Sequence, residues 1–338
     1  MVSKKNFNSI DLWKLFMAVA VVAIHTNPIV TWTNPAAVGI VVMIEEWAVP
    51  FFFIASGFFL FYHMQKPYKE NIRRIDGYLW KIIKMYCVWT LLSLPVTIYG
   101  YRISGNGLVS CVLSYIKYFL FVGKLYNSYH LWYLLALIYA LAAIRFLVKR
   151  GLKPMAVSAI AFVVYAVSEM MVWLEKNIDL IGGVAQKLVF LYQYVFNSGG
   201  VFAGMIYVSA GMLIAYYGVR IPKWIGVCAI IAINFGKFFT QAEISRIIMP
   251  VEVFILFASL LTVELKDSGI WKTCRDISTV VYLSHLMIFS IYTILILGNP
   301  NKLGLDSFLV TLIFSILNAL LLIRIQKCRG FEWIRHIL

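Results

Sequence analysis

The chain has 338 residues, of which 62% are apolar and only 13% are charged, and its mean hydropathy is +0.84. A soluble domain of this length needs a larger polar surface, so this composition excludes a soluble globular protein and predicts a polytopic membrane protein. The five cysteines are scattered, with no CxxC pair and no histidine at ligand spacing. They therefore predict neither a disulfide framework nor a metal site.

Ten apolar segments are long enough to cross a bilayer. They cover residues 11–31, 38–62, 77–99, 130–148, 154–174, 199–217, 222–241, 246–265, 276–297 and 305–325. With the N-terminus inside, most lysines and arginines fall in cytoplasmic connections, as the positive-inside rule requires. The sequence thus predicts an all-α bundle of ten transmembrane helices, one domain over 1–338, with both termini cytoplasmic. This topology, with affinity for anionic headgroups or an anionic ligand, explains the net charge of +15 better than nucleic-acid binding does.

The first predicted helix carries Lys14 and His25 in the stretch KLFMAVAVVAIHT. Eleven residues turn a helix by about 1100°, so both side chains lie on one face, about 16 Å apart along the axis. Ionisable groups at membrane depth are costly and are therefore functional candidates. We interpret His25 as a candidate proton acceptor. The alternatives are a Lys14 side chain that snorkels to the interface and an ordinary interhelical hydrogen bond of His25.

The second predicted helix contains WAVPFFFIASGFFLF, in which Pro50 and Gly57 predict a break in helical regularity. The Ser56 hydroxyl beside this break is either a substrate contact or is bonded to its own backbone.

A basic stretch follows at the inner end of the third predicted helix, with Arg73, Arg74, Lys81 and Lys84. These residues are either part of the positive-inside signal or an anion clamp, since guanidinium groups pair well with phosphate oxygens.

The longest outside connection, 100–129, contains an apolar stretch at 107–122 that is too short for an eleventh span and is predicted to be re-entrant or interfacial. Directly after it come His130 and Trp132, in SYHLWYLLALIYA. They belong either to an aromatic belt at the outer interface or to a substrate site.

Gly200 and Gly204 form a GxxxG motif, which is typical of close helix packing and, as an alternative, of a homodimer interface. Glu169 and Glu252 are acids at membrane depth, interpreted as polar helix–helix contacts or as partners that orient a histidine.

The ninth predicted helix contains STVVYLSHLMIF, which puts His285 near the bilayer midplane. Tyr282 lies one turn earlier on the same face, so a hydrogen bond between the two side chains is expected. Histidines at several depths and basic residues at the inner mouth together indicate an anionic ligand that enters from the cytoplasm. The chemistry would then be delivered towards the outside.

The motifs KLFMAVAVVAIHT, VPFFFIASGFFL, HLWYL and STVVYLSH, in this order, resemble those of the integral-membrane acyltransferase-3 family. The resemblance covers essentially the whole chain and implies a protein of the bacterial cell membrane. It implies transfer of an acyl group, usually acetyl, from cytoplasmic acetyl-CoA to a hydroxyl of an extracytoplasmic glycan or small molecule.

The resemblance also implies residue roles. His25 would be the catalytic base and Lys14 its paired cation, where many members have arginine. Arg73 and Arg74 are adjacent, where the family commonly has Arg-x-x-Arg, so Lys81 or Lys84 would share the binding of acyl-CoA. The other motif residues would contact the acceptor: Ser56, His130, Trp132, Tyr282 and His285.

The lysine form of the first motif most resembles the membrane half of vancomycin-resistance membrane-bound serine racemases. This resemblance implies an alternative function, in which the domain takes up or delivers L-serine to a cytoplasmic racemase domain. Pyridoxal phosphate is expected only if such a domain follows residue 338. Whether the protein is an enzyme is therefore open at this point, although the residues present do not imply racemisation.

Overall fold

The computed structural model describes residues 6–197, 200–240 and 242–336, and this part of the chain is helical. Its α-helices are α1 (Asn8–Thr26), α2 (Pro35–Tyr62), α3 (Ile72–Leu92), α4 (Leu94–Ser104), α5 (Leu108–Lys117), α6 (Trp132–Lys149), α7 (Pro154–Lys176), α8 (Gly183–Phe196), α9 (Gly200–Tyr217), α10 (Lys223–Phe238), α11 (Ala242–Leu260), α12 (Gly269–Ser290) and α13 (Leu305–Ile325). Across these residues the only β-type pairing is an isolated bridge between Leu125 and Ser128. The predicted all-α class is confirmed.

Seven helical segments of the described ranges are long and apolar enough to cross a membrane. They are α1, α2, Tyr129–Lys149, α7, α9, Gly269–Ile296 and α13. An eighth results if α3 and α4 form one span, which bends by 52°. The remaining two predicted segments correspond to α10, with 16 residues, and to α11, which carries two glutamates and an arginine. The count of ten membrane-spanning helices therefore stays a prediction. The cytoplasmic location of the termini also stays a prediction, and their outermost residues, 1–5 and 337–338, lie outside the described ranges.

The short apolar stretch at 107–122 forms α5 and a π turn that ends at Val122, and no residue of α5 is buried. Its length excludes a full span, as predicted. The connection between α7 and α9 contains the 14-residue helix α8.

The end of α1 is set by an asparagine rather than by the end of the apolar run. Asn27 adopts a left-handed conformation, with φ 44° and ψ 67°, and its N–H bonds to the carbonyl of Ala23. This C-terminal cap stops the helix five residues before the predicted boundary. The next helix begins at Pro35, where the Asn34 side chain accepts hydrogen bonds from two backbone N–H groups. His25 consequently lies in the last turn of α1.

Helices α2 and α9 approach each other closely because both have a glycine at the contact. A Cβ added to Gly57 would collide with the backbone carbonyl of Val208, and one added to Gly211 would collide with the backbone of Ile54 and Phe58. Gly57 therefore serves a helix crossing. This contact fixes the stretch of α2 that carries Ser56. The predicted break at Pro50 and Gly57 is wrong, since α2 continues through both residues.

The GxxxG motif also packs within the chain. A Cβ at Gly204 would meet the Phe53 ring and the carbonyl of Ala136, and one at Gly200 would lie 3.6 Å from the Trp132 ring. Close packing of α9 against α2 and α6 thus accounts for the motif without a homodimer.

The two membrane-depth acids form polar contacts between helices, as predicted. Glu169 of α7 pairs with Arg246 of α11 at 3.1 Å. Glu252 of α11 is fully buried, accepts a hydrogen bond from the Trp47 indole at 3.0 Å and pairs with Lys237. The alternative that these acids orient a histidine is wrong, because their carboxylates are engaged elsewhere.

Candidate active site

Three histidines that are distant in sequence lie together in the fold. The ring centroid of His285, on α12, is 5.3 Å from that of His25, on α1, and 4.9 Å from that of His130, just before α6. His285 is fully buried and His130 is 2% exposed. We call His25, His130 and His285 the histidine cluster.

Backbone hydrogen bonds fix the tautomers of two of these rings. The Nδ1–H of His285 donates to the carbonyls of Tyr282 at 2.8 Å and Val281 at 3.1 Å, and the Nε2–H of His130 donates to the carbonyl of Leu283 at 3.0 Å. A carbonyl oxygen only accepts, so in the neutral rings the other nitrogens carry lone pairs. Those atoms, His285 Nε2 and His130 Nδ1, are buried and have no hydrogen-bond partner in the described part of the chain. The cluster therefore offers two acceptor nitrogens.

Tyr282 supports the cluster in a different way from the expected one. Its hydroxyl donates to the backbone carbonyl of His130 at 2.7 Å. The predicted side-chain bond from Tyr282 to His285 is wrong, because Tyr282 reaches across to the start of α6. Together with the bond from His130 to the carbonyl of Leu283, this contact gives two hydrogen bonds between the segment that begins α6 and α12.

A cavity of about 420 Å³ runs from the first turns of α12 towards its middle. Cations and an acid line one end: Lys14, Lys81, Arg275 and Asp276. Hydroxyl groups line the other: Ser56, Tyr133 and Tyr282. The Ser56 hydroxyl lies 2.9 Å from that of Tyr133, so the alternative that Ser56 bonds only to its own backbone is wrong. The cavity thus joins a charged end to a hydroxyl-lined end.

Three aromatic rings line the cavity around Tyr282, which also contacts the histidine cluster. Phe52, Tyr133 and Tyr282 line the cavity, and the Tyr282 ring lies 5.4 Å from Phe52 and 5.3 Å from Tyr133. On its other side, the Tyr282 ring lies 5.8 Å from His130 and 6.2 Å from His285. We call Phe52, Tyr133 and Tyr282 the aromatic layer. Within this layer, Tyr282 contacts both the cavity and two of the three histidines.

Lys14 is held at the cavity wall and does not extend freely to the interface. Its ammonium lies 4.0 Å from Asp11 and 4.2 Å from the centre of the Phe59 ring. Arg275 approaches the same aspartate at 3.7 Å and Asp276 at 3.6 Å. Lys14 and Arg275 are therefore partly balanced by the carboxylates of Asp11 and Asp276.

The other predicted site residues lie apart from this arrangement. Arg73, Arg74 and Lys84 are exposed on α3, and none of them lines the cavity. Trp132 packs against Phe53, with ring centroids 6.0 Å apart, rather than against the histidine cluster.

Arg275 is a cavity residue that sequence reasoning missed. It lies seven residues before Tyr282, a spacing that puts both on one helix face. That spacing was available as a signal, but only the packing of α12 against α1 showed that the face is internal.

Comparisons with known proteins agree with this architecture. A family model described as an acyltransferase domain matches residues 7–324. An amino-acid racemase of Enterococcus faecalis is 26% identical over 96% of this chain and 47% of its own length. A serine/alanine racemase of Enterococcus gallinarum is 26% identical over 97% of this chain and, again, 47% of its own length.

The chain therefore spans about half the length of these relatives. No solved structure matches. Because the acyltransferase model covers nearly the whole chain, and several helices have the length and hydropathy of membrane spans, the protein belongs to the acyltransferase-3 family of multi-pass proteins of the bacterial cell membrane.

Proposed function

We propose that this protein transfers an acyl group, most simply acetyl, from cytoplasmic acyl-CoA to a hydroxyl of an extracytoplasmic glycan or small molecule. The observation that carries the proposal is the cavity that leads from cations to the aromatic layer, with the histidine cluster directly behind it. The charged end suits an anionic donor. The buried acceptor nitrogens suit a hydroxyl that must give up its proton.

The role of His25 follows from the motif resemblance, and the other roles follow from these positions. His25 is proposed as the base, and Lys14 and Lys81 hold the donor at the charged end. Ser56, Tyr282 and the other two histidines orient the reacting groups. The acceptor oxygen bonds to the thioester carbonyl carbon, its proton passes to an imidazole, and the carbon–sulfur bond breaks. The departing thiolate then takes up a proton to become CoA.

Removal of the base tests this mechanism. We expect His25→Ala to lower transfer of labelled acetyl from acetyl-CoA into the cell envelope by about 10²–10⁴-fold, the usual loss for a general base. Expression and thermal unfolding of the purified variant serve as the control for folding. Unchanged incorporation by a folded His25→Ala variant would exclude His25 as the base.

The second candidate is uptake or delivery of L-serine to a racemase domain. It is favoured by the names of the relatives, which are racemases about twice as long as the matched region. Here His25, His130 and Ser56 bind the zwitterion, and pyridoxal phosphate belongs to the racemase domain alone. Thermal stabilisation by L-serine but not by acetyl-CoA would favour this candidate over acyl transfer. The reverse result would exclude it.

A further inference from the structure

A second recess lies beside the cavity, at its charged end. It has a volume of about 510 Å³ and lies between the first turns of α12, the end of α13 and α3. Three lysines line it, Lys81, Lys272 and Lys327, with Asp276 as the one acid in the described lining. We call it the basic recess.

The basic recess and the cavity share part of their lining. Lys81, Asp276 and Thr279 line both. A ligand with an anionic head and a narrow arm can therefore occupy both spaces at once, with its head in the recess and its arm directed towards Tyr282. Asp276 and Tyr282 are six residues apart on α12, so they lie about 9 Å apart along the helix axis, at 1.5 Å per residue.

The two spaces differ in how their cations are balanced. In the cavity, Lys14 and Arg275 share Asp11, and Arg275 also approaches Asp276. In the recess, neither Lys272 nor Lys327 has a carboxylate within 4.0 Å among the described residues. Lys272 and Lys327 therefore line one concave surface without a paired carboxylate among the described residues, which favours a phosphate-bearing ligand.

We infer that Lys272 and Lys327 bind the phosphate groups of the acyl donor in the basic recess, while the thioester arm lies in the cavity. This inference rests on the proposed function and assigns the phosphates to α12 and α13. The sequence-based clamp comprised Arg73, Arg74, Lys81 and Lys84. Of these, Lys81 lines both spaces, whereas Arg73, Arg74 and Lys84 are exposed and line neither.

The test uses the purified protein in vesicles of phosphatidylcholine. Three ligands are compared: acetyl-CoA, acetyl-pantetheine, which lacks the adenosine and the diphosphate, and adenosine 3′,5′-bisphosphate. Their binding is measured for four proteins. These are the parent, Lys272→Gln with Lys327→Gln, Arg73→Gln with Arg74→Gln, and Lys149→Gln with Arg150→Gln. Lys149 and Arg150 are exposed and line neither space, so the last pair controls for the loss of two charges.

We expect the Lys272/Lys327 pair to weaken acetyl-CoA binding about 10-fold or more, with a loss that shrinks at high salt. Acetyl-pantetheine should bind as it does to the parent, and adenosine 3′,5′-bisphosphate should compete with acetyl-CoA in the parent but not in the Lys272/Lys327 pair. The Lys149/Arg150 pair should leave all three affinities unchanged.

Several results would overturn the inference. It is wrong if the Lys272/Lys327 pair binds acetyl-CoA like the parent, or if the control pair loses as much affinity. It is also wrong if the Arg73/Arg74 pair loses the affinity instead. None of these three results contradicts the proposed acyl transfer. A parent that binds neither acetyl-CoA nor acetyl-pantetheine overturns the proposed function as well. If added phosphatidylglycerol displaces adenosine 3′,5′-bisphosphate while acetyl-CoA does not, the recess is a lipid headgroup site and the inference is also wrong.

Discussion

At the scale of single residues, the most informative feature is the fixed tautomer of His285. Its Nδ1–H is committed to backbone carbonyls, so only Nε2 is left to accept a proton or a hydrogen bond. An asparagine at this position retains an N–H near Nδ1 but has no atom at Nε2, whereas a glutamine reaches the Nε2 position and loses the backbone bonds.

We therefore expect His285→Asn to fold like the parent and to lose about 10-fold or more in acetyl transfer, the effect of one missing hydrogen bond to a reacting group. His285→Gln should unfold at a lower temperature, because two buried carbonyls lose their donor. Envelope labelling and thermal unfolding of both variants measure the two effects separately. Full activity of His285→Asn would show that Nε2 takes no part in the reaction.

At the scale of helices, the α2–α9 crossing holds the stretch of α2 that carries Phe52 and Ser56. We expect Gly57→Ala to destabilise the protein by about 1–3 kcal/mol or more, because the new Cβ meets the backbone of Val208, which cannot move aside as a side chain can. Gly39→Ala is the matched control in the same helix, since nothing lies within 4 Å of its added Cβ. That variant should be neutral or slightly stabilising. Equal unfolding temperatures for the two variants would contradict the close crossing.

The helices also show which structural features a local sequence pattern can predict. The Lys14–His25 spacing correctly predicted a helix that carries both groups, because the α-helical period is a local property of the backbone. Of the predicted clamp, Lys81 lines the cavity but Arg73, Arg74 and Lys84 do not, because charge density along the chain does not report which helix face is concave.

At the scale of the whole molecule, the orientation in the membrane is still a prediction, based on the distribution of lysine and arginine. In a cysteine-free background, we expect Arg150→Cys to be protected from a membrane-impermeant thiol reagent in intact cells and Lys302→Cys to be labelled. Both positions are exposed, so accessibility within the protein does not limit the reaction. Labelling at 150 and protection at 302 would reverse the topology, and the acyl donor would then have to enter from the outside.

The sequence by itself determined the membrane environment, the helical class and the positions of the ionisable groups, because apolar run length and helical period are properties of neighbouring residues. Only the tertiary structure decided which groups meet. His25, His130 and His285 come together because α1 and α6 both pack on α12, and Arg275 reaches the cavity through the same contact. Such contacts depend on side chains and glycines far apart in the chain, so no local pattern contains them. The fixed tautomers of His130 and His285 depend on the same packing, since carbonyls of α12 select the donor nitrogen in each ring.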